Sequence, residues 1–132
     1  MNKYEKYSYL QTSNKWSIYF NNLHRFQCRE IALENIVSSV KCNIICLNET
    51  LMKGSTRIDM AGFNSYVKNR VDKSGGGIAT LISEKDAPYS IKIKEGENDK
   101  EYLITRHDQF QTPVNIINIY GMNECRTTKN KI

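Results

Sequence analysis

The spacing of apolar residues changes period part-way along the chain. The run KWSIYFN, residues 15–21, is aromatic and β-branched and predicts a strand near 16–21. Leu33, Ile36, Val37 and Val40 then fall at i, i+3, i+4 and i+7, which predicts a helix over about 28–41. Arg29, Glu30, Glu34 and Lys41 take its other faces, as a helix laid on a sheet requires. Asn43-Ile44-Ile45-Cys46-Leu47 is a short apolar burst that stops at the polar Asn48-Glu49-Thr50. Such bursts suit a central strand covered on both faces. Strand, helix and buried strand in succession describe a βαβ unit with parallel pairing.

Beyond this unit the period is two. Tyr66-Val67-Lys68 and Ile78–Ile82 predict a hairpin-like pair around the turn-forming residues 72–77. Further strands are expected near 89–94, 101–106 and 113–120, with GEND at 96–99 as a turn. Their connections are too short for crossover helices, so this part should be antiparallel. Residues 123–132 resemble the opening of a helix capped by Thr127 or Thr128, and stop before one turn of apolar residues has accumulated. The expected fold class is α/β, as one unit or part of one.

Composition narrows the class. At 132 residues, with 39% apolar and 25% charged side chains, the chain fits one globular domain. No segment approaches the roughly 18 consecutive apolar residues of a transmembrane helix. The opening MNKYEKYSYL lacks the apolar core of a signal peptide, which favours a nuclear or cytoplasmic protein over a secreted one. Cys28, Cys42, Cys46 and Cys125 form no C-x-x-C pair and are expected to be buried free thiols. The net charge is +5 and unevenly spread. Residues 1–30 and residues 50–80 each hold five basic against two acidic side chains, whereas 84–101 is acidic. Two basic zones suit a polyanion-facing side, and scattered solubilising charge would give the same composition.

Glu49 is the most informative candidate. An acid directly after a buried strand lies at the strand's carboxyl end, where open α/β sheets place their ligands. Asn21 and Asn22 occupy the equivalent place after the preceding strand, and either an Asx turn or a site role accounts for them. A converging amide and carboxylate would suit a hard cation such as Mg²⁺. Tyr120 repeats the placement after VNIINI, as a phosphate contact or as one more packed tyrosine. Gly75-Gly76-Gly77 is not a phosphate loop, because no G-x-x-x-x-G-K-[ST] is present; it reads as a tight turn into a closely packed strand.

The combination NIICLNET, GSTRIDMAGFNSYVKNR, GGGIATLI and VNIINIYGMNECRT resembles the endonuclease/exonuclease/phosphatase superfamily. Within it the chain is most similar to the endonuclease domain of non-LTR (LINE-type) retrotransposons, itself similar to apurinic/apyrimidinic endonucleases. The likeness runs over residues 16–128, which leaves 1–15 as an N-terminal polar extension and 16–132 as the N-terminal half of such a domain. The resemblance implies a partial two-sheet α/β sandwich, here one mixed, largely antiparallel sheet with one packed helix. Half a sandwich should leave the inner side of its sheet exposed.

The resemblance also implies roles. Glu49 matches the acid of the L-x-E-T motif that ligates catalytic Mg²⁺, and Asn22 the asparagine that closes the first strand. The N-x-N-G-type motif reads Asn22-Leu23-His24-Arg25, so His24 stands where a second polar, substrate-binding residue is usual and Arg25 replaces glycine. Tyr120 matches the strand-end tyrosine that contacts the scissile phosphate, and Asn123 a phosphate-binding asparagine. The family's G-D-x-N and S-D-H motifs, which position the water and supply the base, do not occur in the 132 residues. His107, expected in a mid-chain turn, is no substitute. The implied activity is Mg²⁺-dependent cleavage of DNA phosphodiesters, with this stretch inactive by itself and a C-terminal half or reverse transcriptase domain as its complement. A non-enzymatic nucleic-acid-binding remnant, or a phosphatase or phosphodiesterase of the same superfamily, are the alternatives.

Overall fold

The computed structural model describes residues 17–39, 41–52, 57–69, 76–97, 100–109 and 112–120. The chain runs β1 (Ile18–Asn22), α1 (Phe26–Ser39), β2 (Ile44–Asn48), β3 (Phe63–Lys68) and β4 (Ile78–Ser83). A short 3-10 turn (Ala87–Tyr89) then leads into β5 (Ser90–Glu95), β6 (Tyr102–His107) and β7 (Val114–Ile119). The predicted helix that would follow, with its Thr127 or Thr128 cap, lies outside the described residues, as do the 1–15 extension and Asn123.

The strands sort into two sheets, a four-stranded one in the order β1-β2-β4-β3 and a three-stranded one in the order β5-β6-β7. β1 and β2 are parallel, with α1 as their crossover, while β2–β4 and β3–β4 are antiparallel. The second sheet is antiparallel throughout. This is a partial two-sheet α/β sandwich. The later strands form a separate sheet instead of extending the first, because the 3-10 turn after β4 carries the chain across to the opposite layer.

β2 and β4 lie in the middle of the first sheet, and every residue of β2 is buried. One face, with Ile45, Leu47, Ala79 and Leu81, packs under α1 through Phe26 and Leu33. The opposite face, with Ile44, Ile78 and Ile82, is covered by the second sheet, whose Leu103 is fully buried. The inner side of the first sheet is therefore closed over its centre, not exposed as expected. β6 packs over β3 and β4, and β7 over β4 and β2. β1 packs against neither of them to a comparable extent.

Three further expectations change. Ile36, predicted on the buried face of α1, is 38% exposed, because the helix turns Phe26, Leu33 and Val37 to the core. His107 is not in a turn: it ends β6, fully buried between the sheets. Of the described cysteines Cys46 is buried and Cys42 half-buried, but Cys28 is exposed on α1. No described helix is long and apolar enough to cross a membrane.

Candidate active site

β1 and β2 end side by side, with Asn22 opposite Asn48 in the parallel register. The loops beyond them are stitched together: the Leu23 amide donates to the Asn48 carbonyl (2.9 Å) and the Phe26 amide to the Thr50 carbonyl (3.0 Å). After β2 the backbone turns sharply, with Glu49 at φ 54° and Leu51 at φ 56°; across the cleft His24 is at φ 67°. Left-handed conformations cost non-glycine residues free energy and gather where a side chain must be aimed. Two of these three residues touch each other.

The Tyr120 hydroxyl donates to Glu49 Oε1 at 2.6 Å, and His24 Nδ1 lies 3.0 Å from Glu49 Oε2. Both carboxylate oxygens are thus held, by a residue from the second sheet on one side and by the β1–α1 loop on the other. The His24 side chain is 79% exposed and that of Glu49 20%, so the group opens to solvent from a supported base. Asn22 is exposed at the end of β1 beside this group, whereas the Asn21 amide turns back to donate to the Tyr19 hydroxyl (2.7 Å). A cavity of about 210 Å³ opens next to them, lined by Asn21, Asn22, His24 and Arg29 among others.

The support beneath Glu49 comes from β4 and β6. Thr50 and Leu51 amides donate to the Gly77 and Gly76 carbonyls (3.2 and 2.9 Å), and the Gly77 amide donates to the buried Glu101 carboxylate at 2.5 Å. The Glu101 carbonyl in turn accepts from the Tyr120 amide at 3.0 Å. Glu101 is hidden in the sequence by the acidic stretch 84–101 around it, where nothing in the pattern singles it out. Asn48 and Asn118, both 2% exposed, are buried amides inside apolar strands at this end, which nothing in the sequence pattern marks as buried.

Each oxygen of Glu49 keeps lone-pair capacity beyond its one neighbour. Among the described residues there is no cluster of three or more His, Cys, Asp or Glu side chains. A cation here would therefore rely on the Glu49 carboxylate, with water and phosphate completing its shell. That donor set fits Mg²⁺, which commonly takes one or two carboxylates, and does not fit zinc.

Comparison with solved structures identifies the architecture. The AP endonuclease LMAP of Leishmania major superposes with a TM-score of 0.69 at 16% identity, over 97% of this chain and 51% of that one. The catalytic domain of Xenopus laevis APE2 gives a TM-score of 0.62 at 18% identity, over 86% of this chain and 48% of that one. The fold is thus of the endonuclease/exonuclease/phosphatase type, and the chain spans about half the length of the structures it matches. No protein-family model matches the chain, and no curated protein matches it significantly.

Proposed function

We propose that this chain supplies the cation-binding half of a DNA phosphodiester endonuclease of the retrotransposon type. The observation that carries the reading is the meeting of Glu49, Tyr120 and His24 at the carboxyl end of the β1–β2 pair, on an AP-endonuclease-like fold. Glu49 would hold Mg²⁺, which when bound offsets charge developing on the phosphate and the leaving oxygen. Tyr120 and His24 orient the carboxylate from opposite sides. Asn22 and Asn123 would offer hydrogen bonds to phosphate oxygens, as would the Tyr120 hydroxyl on turning from Glu49, and His24 a further contact to substrate from its exposed position. The two basic zones in the sequence suit a nucleic-acid backbone.

The groups that would activate water are not among these residues. General-base catalysis contributes typically 10²–10⁴-fold, and loss of positioning costs more. The chain by itself is therefore expected to leave DNA intact, and to need a second half carrying the base. Two measurements test this. Incubated with Mg²⁺ and supercoiled plasmid, the purified chain should show no nicking; robust nicking that Glu49→Ala abolishes would overturn the inactivity. Titrated with Mn²⁺ as a spectroscopic substitute, it should bind at least tenfold more tightly than the Glu49→Ala variant. Equal Mn²⁺ binding by the two would remove Glu49 as the metal ligand.

A further inference from the structure

Glu49 and Tyr120 belong to different sheets, and no ladder of backbone bonds fixes how far one sheet is slid along the other. The hydrophobic attraction between packed sheets has no direction, so directional register falls to polar contacts, of which the Gly77–Glu101 bond is one. At the carboxyl end of β2 two amides cross the gap in opposite senses. Asn118 Nδ2, from β7, donates to the Ala79 carbonyl at 2.8 Å and lies 3.3 Å from Thr80 Oγ1 and 3.5 Å from the Leu47 carbonyl. Asn48 Nδ2, from β2, donates to the Ile119 carbonyl at 3.3 Å.

The chain positions make this reciprocal. Asn48 immediately precedes Glu49 and reaches the residue immediately before Tyr120. Asn118 is two before Tyr120 and reaches the residue two before Glu49. We infer that Asn48 and Asn118 form an inter-sheet amide clasp that sets the register of β2 against β7 and thereby positions the Tyr120 hydroxyl on Glu49. They are positioning residues, acting through the two strand ends. The side-chain carbonyls of both are buried without a hydrogen-bond partner. Leucine at either position would remove those unpaired oxygens, so the amides carry a cost that bulk stability does not require. Directional register is what they supply in exchange.

The clasp's importance for cation binding rests on the proposed function, while its effect on the Glu49–Tyr120 contact does not. The test uses the full 132-residue chain. A phenol donating to a carboxylate at 2.6 Å should give a slowly exchanging, downfield hydroxyl proton by NMR, assigned by its loss in Tyr120→Phe. In Asn118→Leu and Asn48→Leu this signal should vanish while the thermal unfolding midpoint holds within a few degrees. Mn²⁺ affinity should fall at least fivefold in each. The double variant should be no worse than either single one, because one clasp is broken only once. Asn48→Gln, which keeps the amide, should restore part of the signal.

Persistence of the hydroxyl signal in folded leucine variants would overturn the clasp, as would its absence from the unaltered protein. Loss of the signal with unchanged Mn²⁺ affinity would uphold the clasp and reject the cation site instead. If Asn118→Leu does not fold, Asn48→Leu decides the question alone.

Discussion

Gly77 stands at φ +89°, and a Cβ placed on it would lie 2.5 Å from the Thr50 hydroxyl oxygen. Both facts bear on Glu49, because Thr50 is its neighbour and its amide is held by the Gly77 carbonyl. Alanine there would incur about 1–2 kcal/mol for the left-handed backbone, before Thr50 is displaced. Gly77→Ala should therefore lower the unfolding midpoint by several degrees, which calorimetry would read, and a shift under one degree would show the contact to be slack. The tight turn into a close-packed strand was legible in Gly75-Gly76-Gly77, since only glycine serves such a backbone. The acid after IICLN was legible for a similar reason, as a charge has one natural place beside a buried strand. Asn48 and Asn118 were not, because an amide inside an apolar strand looks the same whether it faces solvent or a second sheet. Thiol chemistry divides at this scale as well. Burial pushes the Cys46 thiol up to about 11, against a weaker opposing hydrogen bond from Thr80, whereas Cys28 is exposed. Iodoacetamide at pH 8 should label Cys28 in the native protein and leave Cys46 untouched until unfolding, as mass spectrometry of the peptides would show.

Among the elements, β6 carries the most consequential departure from its sequence pattern. YLITRH alternates as a half-buried strand should, but the inward row ends on His107, whose ring sits between Ser90 Oγ and Thr105 Oγ1, each at 2.8 Å. Burial lowers its pKa from the ordinary 6.5, and this outweighs Asp86 and Asp108, which favour the charged ring. An imidazole harder to protonate when folded makes the unfolded chain bind more protons below pH 6.5, so stability should fall as the pH drops past that value. Above it the contribution is fully present. Thermal midpoints should decline between pH 7 and pH 5, ahead of the range where ordinary carboxylates protonate. In His107→Asn that decline should flatten; an equally steep slope would place the titrating group elsewhere. The sequence could not announce this, because the side on which a strand's alternate row falls is decided by the layer it joins. The helix was easier to locate, since its period is its own. Of its expected stripe Leu33 and Val37 do meet the sheet and Val40 lies outside the described residues, but Ile36 is exposed and Phe26 joins the core instead, where the loop from β1 is pinned to the loop after β2.

At the scale of the molecule, the second sheet is narrower than the first and leaves apolar surface open on the inter-sheet face of β1, while its own outer face carries exposed apolar residues as well. Ile18 and Phe20 share the inter-sheet face of β1 with their ladder partners Ile44 and Cys46, but they are 47% and 60% exposed, since β7 packs chiefly over β2 and β4. On the outer face of the second sheet Ile117 and Ile119 are 60% and 61% exposed, beside Ile104 and Tyr102 of β6. A row of this kind flanking an edge strand is an invitation to pairing with another chain. The chain spans about half the length of the AP endonuclease structures it matches. By itself the chain should self-associate at concentrations of tens of micromolar or below, an order-of-magnitude expectation for exposed edges of this kind. Sedimentation velocity across a dilution series would show it as a rising weight-average coefficient. Phe20→Lys and Ile119→Lys separate the two surfaces: each removes an exposed apolar group, so neither should lower the unfolding midpoint, and the one that restores a monomer names the sticky surface. A chain that stays monomeric and unfolds in one cooperative transition without either change would show instead that the two-layer half closes its own core, with the open residues too scattered to recruit a neighbour.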